Sequence, residues 1–407
     1  MAASANFADI NAKPDLISFD QAIRLIAIHA QPLAVEQIPL DRADGRILAN
    51  PAVARRTSPS TLVSAMDGYA VRDADIARLP VSLRIAGKSF AGDGRRKPLQ
   101  PGTCVRIFTG ASAPAGTDRV VMQEYVREDR GFATISEYPA RRHLRRPGSD
   151  FAEGDVIVPA PCRLNPQHLV GIAAADIAAV DVFRKPRVVI LCCGDELTEP
   201  GHRDRPEGTI PESISFGVSA LVRRWGGDAI ARLRCPDDLT RLQAMAAEAA
   251  AAADIVITIG GASVGEKDLA KAAFAPLGLE LIFAKVAIKP GKPIWFGRAG
   301  KTLVVGLPGN PSSALVTARL FLAPLLAGLS GGRSDDALEF RMMRASAAKS
   351  CSDRDVFSRA TIKGRLATPL SDQDSAGQKT LAAATHLIRR RPNAASDAEN
   401  LAETLVF

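Results

Sequence analysis

The apolar positions change their period twice along the chain. In residues 18–31 (SFDQAIRLIAIHAQ) they recur at helical spacing behind Ser18, whose hydroxyl suits a helix cap, so a helix is expected there. From about 33 to 185 short β-branched runs (VSLRIAG, CVRIFTG, RVVMQEYV, FATISEY, DVIVPA) are separated by Gly, Pro and Asp. That pattern predicts a mainly β region of one or two small lobes, with a short helix at 166–180 returning to it. At Arg187 the period changes again: RVVILCCG is continuously apolar, as in a strand buried on both faces. A helical stretch of roughly 213–225, the run AIARLRC, an alanine-rich helix from Asp237 to Ala253 and the strand DIVITIGG follow. LIFAKVAI, PIWFG and TLVVGLPG then lead into a helix from Asn310 to about Leu329. Strands alternating with helices predict a largely parallel sheet covered on both faces, which binds ligands beyond the carboxyl ends of its strands. A Gly/Ser/Asp-rich link at 328–336 precedes strand-like pieces EFRMMRASAA, DVFSRATI and HLIRRR. The expected class is therefore multidomain α/β and β. Residues 18–185 would form a split N-terminal domain with an inserted β-rich lobe at about 60–150, residues 186–330 an α/β domain, and residues 337–407 a small β domain.

Composition narrows the function. With 407 residues, 46% hydrophobic and 24% charged, the chain reads as a soluble globular protein of two to four domains. Its start, MAASANFADINAKPDL, has no basic run followed by an apolar stretch, and no segment reaches the roughly 18 uninterrupted apolar residues of a membrane span. A cytoplasmic protein with no membrane partner is expected. Six cysteines at 104, 162, 192, 193, 235 and 351 include no CxxC pair, so they read as reduced core thiols rather than a zinc or redox motif. Five scattered histidines give no support to His-based metal or triad chemistry. The net charge of +8 suits an anionic ligand. Aromatic residues are only 5% and do not interleave with the basic runs (55–56, 95–97, 141–146, 389–391), so nucleic acid is not expected as a partner.

Five segments carry candidate chemistry. GGASVGEKD (Gly260–Asp268) follows DIVITI; its glycines permit positive φ and close approach of free amides to an anion, with Asp268 at the loop mouth. Alone, a Gly-rich turn is a weak signal and more often marks only a tight strand-to-helix turn. GLPGNPSSA (Gly306–Ala314) is a rigid turn opening a helix, with Asn310 at the cap position and Ser312 and Ser313 in the first turn. Its amides and dipole suit a phosphate or a pterin edge, and simple turn chemistry is the alternative. IKPGKP (Ile288–Pro293) holds Lys289 and Lys292 on a stiff Pro-Gly-Pro frame, a pairing that suits a polyanion. GDEL (Gly194–Leu197) places Asp195 and Glu196 at a strand end, where two carboxylates suit Mg²⁺ or are simply solvated. SAMDGYAVR (Ser64–Arg72) reads by itself only as a turn around Asp67-Gly68.

Taken together these segments are far more specific. With FTGA (Phe108–Ala111) they occur in the order found in the molybdopterin molybdenumtransferase family, to which gephyrin's cofactor-making domain also belongs. The chain resembles that family from about Ser18 to about Phe407, most weakly in roughly its last 60 residues. The resemblance implies an elongated homodimer with a β-rich lobe, an α/β molybdopterin-binding domain and a C-terminal β-barrel. It implies insertion of molybdate into adenylylated molybdopterin, with AMP released and Mg²⁺ assisting, and a molybdoenzyme or cofactor-delivery partner downstream. The site it implies includes Lys289, Lys292 and the loop amides of Gly260, Gly261, Ser263, Gly265, Gly309, Asn310 and Ser312 toward the anions, with Pro308 among the cofactor-binding positions. Asp195, Glu196, Asp150, Glu212 and Asp268 are the metal and polar candidates, and Thr109 matches an active-site threonine. Arg145 and Arg146 in RRPGSD resemble a basic-Gly-acid loop, and Arg359 and Ser375 match C-terminal positions that reach the site.

Departures from the family pattern fall at these motifs while their glycines and prolines remain. Leu62 and Val63 stand where Asp-Asn precedes SAMDGY, Pro211-Glu212-Ser213-Ile214 where a Tyr-Asp-Thr-Asn segment follows GDEL, and Leu269 where an aromatic residue is common. Cys193 replaces the threonine before GDEL, and Ala376 the histidine after Ser375. The alternative to a working transferase is a catalytically impaired paralogue that binds the pterin or the finished cofactor as a carrier or scaffold.

Overall fold

The computed structural model describes residues 16–94, 97–201, 206–260, 269–346, 353–392 and 400–407. Its contacts divide the chain into two units. One comprises the residues up to Glu36, Gly45–Ala49 and Asp181–Phe407; the other comprises Gln37–Asp44 and Asn50–Val180.

The first unit begins with α1 (Phe19–His29), capped by Ser18 as its sequence predicts, and the Gln21 side chain accepts the Ser18 amide in return. Its central sheet contains β1 (Arg187–Cys193), β2 (Asp228–Cys235), β3 (Ile255–Ile259), β4 (Leu279–Phe283), β6 (Trp295–Ala299) and β7 (Thr302–Leu307); β5 (Ile288–Lys289) belongs to a different sheet. The order is β2-β1-β3-β7-β6-β4. The first four strands run parallel. Strand β6 runs antiparallel to β7, because the two are joined by the two-residue turn Gly300-Lys301, too short for a crossover, and β4 in turn pairs antiparallel with β6.

Alternation along the apolar strands explains the two covered faces. Val188, Ile190 and Cys192 pack with Ile255, Ile257, Ile259 and Val305 into one core, against α1, α2 (Ile214–Arg224) and the helix that follows β7. Val189, Leu191 and Cys193 point the other way, toward α3 (Leu239–Ala252) and α4 (Leu269–Phe274). The adjacent cysteines thus serve opposite cores, and burial pushes both thiols up. Cys193 also lies beside Cys235 across the sheet, and the thiol–thiol contact is the largest cause of its shift.

The helix after β7 runs as α5 (Pro311–Thr317), a π-helical turn Ala318–Leu322 and α6 (Ala323–Leu329). By length and composition Pro311–Leu329 would cross a membrane, but 94% of its apolar window is buried inside the protein, so it is a core helix. The C-terminal strands β8 (Arg341–Ala345), β9 (Asp355–Lys363), β10 (Leu366–Pro369), β11 (His386–Arg390) and β12 (Leu401–Val406) close into a barrel in the order β9-β10-β8-β12-β11, with β11 returning to β9. Strand β5 pairs with β9 at the barrel edge. Phe357 and Leu387 of the barrel share the core that contains Phe19 and Phe321.

The second unit is built on a six-stranded sheet in the order Arg119–Met122, Gly68–Val71, Thr103–Ile107, Val81–Ser89, Phe132–Ile135, Val126–Asp129. Tyr69 and Val71 serve one side with Leu83 and Cys104, and Ala70 the other with Val105 and Ile107.

Candidate functional site

In the first unit, β1, β3 and β7 are neighbours and end at the same edge of the sheet, and three of the expected motifs leave from these ends. Gly260 has φ of +85° and lies so close to β1 that a Cβ would come 2.8 Å from the Cys193 carbonyl oxygen. A Cβ on Gly309 would stand 3.4 Å from the Gly260 Cα. Bare backbone at both positions lets the turns close together and leaves their edge open to a ligand. Beyond them lies a cavity of about 810 Å³. Cys193, Glu196, Glu212, Asp237, Gly260, Lys285, Lys292 and the Pro308–Pro311 turn all line it, as do Ala376 and Gln378.

The lysines do not sit as their spacing suggests. The Val286 N–H donates to the Lys292 carbonyl at 3.1 Å, folding the loop back so that Lys285 and Lys292 meet at its base. Both line the cavity. Lys289 is halfway round the loop, exposed on β5, and is not part of the cavity wall. Lys285 was concealed in the strand-like run LIFAKVAI; its place beside a second lysine depends on the closing bond rather than on spacing. Gly291 (φ +101°) makes the loop possible, since a Cβ there would stand 2.2 Å from Thr317 Cγ2 of α5.

The turn into α5 also differs from expectation. Asn310 occupies the cap position but makes no side-chain cap bond; its Nδ2 donates instead to Ser375 Oγ at 3.2 Å. The Ser312 amide, expected to face an anion, donates to the Ser375 carbonyl at 2.9 Å. Ser375 therefore reaches the site, as its match implied, by gripping the turn. Arg359 does so from inside. It is 1% exposed, and its guanidinium donates to Ser312 Oγ, to the Asp374 carbonyl at 2.9 Å and to the Gly377 carbonyl at 3.3 Å. Burial lowers its pKa, and no carboxylate pairs with it directly among the described residues. Arg359 thus pins the 372–377 loop against α5 rather than offering its charge to the cavity.

The acids divide similarly. Asp195 accepts the Asp237 N–H at 3.1 Å, while Glu196 and Asp237 face the cavity. Glu212 is 5% exposed, and its two oxygens accept the amide and hydroxyl of Ser215 at 2.8 and 2.5 Å, which caps α2 in place of Ser213. Among the described residues no group of three or more His, Cys, Asp or Glu is arranged to hold a metal. Gly261, Ser263, Gly265 and Asp268 lie outside the described residues.

In the second unit, SAMDGY, FTGA and RRPGSD converge on one loop cluster. The amide and hydroxyl of Thr109 both donate to Asp67 Oδ1 at 2.7 Å, and these bonds hold the Asp67 carboxyl below its ordinary range. The Gly110 amide donates to Ser64 O and the Ser64 amide to Ala111 O, both at 2.9 Å. A Cβ on Gly68 would come 2.1 Å from the Val121 carbonyl oxygen, so glycine is required where this turn enters the sheet. Val63 pairs with Arg145, the Leu62 carbonyl accepts the Ala113 amide at 2.8 Å, and the Asp150 amide donates to Ser58 O at 3.1 Å. Thr109, Arg145, Arg146 and Asp150 are exposed on this cluster. The departures Leu62 and Val63 hold it through their backbones, a role indifferent to side chain. Asp67 is the residue the sequence reading passed over; a lone acid before glycine reads as a turn until Thr109 is seen to bind it.

Comparison with known proteins agrees with this architecture. Residues 17–175 match the model described as MoeA N-terminal region (domain I and II), and residues 189–328 that described as probable molybdopterin binding domain. The molybdopterin molybdenumtransferase of Haemophilus influenzae is 39% identical over 320 residues, covering 78% of each chain. That of a Nostoc species is 38% identical over 304 residues, covering 73% of this chain and 70% of the relative. A solved structure, the molybdopterin biosynthesis moea protein from Pyrococcus horikosii, matches with a TM-score of 0.82 at 27% identity, covering 96% of this chain and 99% of that one. Identity of this extent across both matched regions, on the same fold, means that the chain belongs to the molybdopterin molybdenumtransferase family.

Proposed function

We propose that the chain inserts molybdate into adenylylated molybdopterin and releases AMP, a step of molybdenum cofactor biosynthesis. The observation that carries this reading is the cavity of about 810 Å³ at the ends of three parallel strands, lined by Lys285 and Lys292 and by the carboxylates Glu196, Glu212 and Asp237. Its volume falls in the usual range of about 300–1,000 Å³ for small-molecule sites. Lys285 and Lys292 neutralise the phosphates and the molybdate oxyanion, and oppose the charge that develops on phosphoryl oxygen as the link to AMP breaks. The glycine turns at 260 and 309 let the main chain approach the pterin. In the second unit, Thr109 orients Asp67 as an ionised acceptor, and Arg145 and Asp150 are exposed on the same loop cluster.

Glu196 and Asp237 are the number of protein carboxylates that Mg²⁺ commonly uses beside phosphate and water, so the donor set fits that ion. Bound there, Mg²⁺ would polarise phosphoryl oxygen. Glu212, with both oxygens engaged by Ser215, serves the cavity better as a helix cap than as a ligand. A cytoplasmic homodimer belongs to the same proposal, and light scattering that reads a monomer mass at micromolar concentration would remove the dimer.

The deciding experiment incubates the pure protein with adenylylated molybdopterin, Mg²⁺ and molybdate and measures AMP. Molybdate-dependent release is expected. Tight pterin binding without AMP release would overturn the transferase reading in favour of a carrier.

A further inference from the structure

A second recess, about 450 Å³, opens between α2, the α5–π-turn helix and the barrel, separate from the cavity above. Leu221, Trp225, Leu315 and Leu405 give it apolar walls, and Gly217 and Ala220 on α2 leave the room that larger side chains would fill. The π turn sets Arg319 into this wall. Widened turns of this kind are frequent at functional positions. Arg319 is 6% exposed; its Nε donates to the Val406 carbonyl at 2.8 Å and its Nη1 to the Ala337 carbonyl at 2.7 Å. The guanidinium carbon lies 5.0 Å from the centre of the Trp225 ring. Among the described residues Arg319 forms no ion pair, and its Nη2 has no protein acceptor.

A buried cation without a counterion is costly, and burial and nearby Arg224 together push its pKa down to about 10. The rim does not supply the missing charge. Neither rim carboxylate reaches Arg319: Glu339 is paired with Arg341 at 2.9 Å and the exposed Asp336 stands 3.9 Å from Arg333, whereas Arg224 has no ion pair among the described residues. The recess therefore presents two unneutralised guanidinium groups beside apolar and aromatic walls.

We propose that this recess binds a small amphipathic carboxylic acid, its apolar body against Leu221, Trp225, Leu315 and Leu405 and its carboxylate on Arg319 and Arg224. The complement of an arginine set under an apolar surface is an anion on an apolar stem, and Arg–carboxylate contacts are among the stronger polar ones.

Trp225 and Trp295 are the two tryptophans, and Trp295 is fully buried, so a ligand-induced change in emission reports Trp225. Titration with phenylbutyrate is expected to give saturable quenching at millimolar concentration or below. Phenylbutanol, which lacks the charge, should bind about tenfold more weakly, the ordinary worth of one charge-assisted contact. Arg319→Met should weaken phenylbutyrate by the same factor. Because that change strands two carbonyls and the variant can fail to fold, Ala220→Phe provides the independent arm. It fills the recess from an exposed helix position, and should abolish binding while the thermal transition is kept. Equal binding of the alcohol, tighter binding of phenylbutylamine, unchanged binding in Ala220→Phe, or no saturable signal would each overturn the proposal.

Discussion

Gly291→Ala is a direct test of how the lysine loop is held. Two penalties add. The backbone at φ +101° lies outside the left-handed well that L residues visit, a strain of about 1–3 kcal/mol. The new methyl would begin 2.2 Å from Thr317 Cγ2, against a contact distance near 3.5–4 Å. Thr317 is wholly buried, and its hydroxyl is committed to the Ser313 carbonyl at 2.7 Å, so it cannot rotate away freely. Overpacking of this kind costs about 1–3 kcal/mol, for a total of about 2–6 kcal/mol. Both tryptophans lie in the first unit, so urea unfolding followed by tryptophan emission reports that unit alone. Thr317→Ser removes the clashing methyl and keeps the hydroxyl; alone it should cost about 1 kcal/mol for the lost buried group. In Gly291→Ala/Thr317→Ser the steric share returns and the backbone share remains, giving a favourable coupling of about 1–3 kcal/mol. Strict additivity of the two single changes would refute the contact argument, and an undiminished stability of Gly291→Ala would refute the whole account of the loop.

Three further outcomes are expected. Lys285→Ala and Lys292→Ala should each weaken adenylylated molybdopterin by about tenfold or more in calorimetric titration, with unchanged folding, while Lys289→Ala should change affinity less because that residue stands off the cavity wall. Arg359→Met should release the 372–377 loop, read as faster limited proteolysis there, and should destabilise the first unit by about 2–5 kcal/mol as buried carbonyls and Ser312 lose their donors. Burial pulls the Asp254 carboxyl upward, but two Arg184 bonds at 2.6 and 2.7 Å and the Arg187 amide outweigh it and hold the pKa below its ordinary value. A lowered folded pKa stabilises fully above the unfolded value, about pH 4, and the benefit fades as pH falls through the folded value; Asp254→Asn should flatten the acid limb of the first unit's urea stability.

What the sequence determined by itself was everything carried by short-range pattern. The capped helix at Phe19–His29 follows from Ser18, Gln21 and an apolar face, and the doubly covered sheet from runs such as RVVILCC, in which every second residue meets the opposite core. The glycine turns at the ends of β3 and β7 were legible for the same reason, because conformational freedom is a property of the residue. The tertiary structure alone decided which polar groups face the ligand. Asn310 turns from the helix it was expected to cap toward Ser375, 65 residues away, and Arg359 goes inside to hold Ser312 across 47 residues. Lys285 displaces Lys289 from the cavity wall because one backbone bond closes the loop between Val286 and Lys292. Polar side chains have several partners of similar strength within reach, and the choice among them is made by whichever distant segment the fold delivers, which no local pattern records.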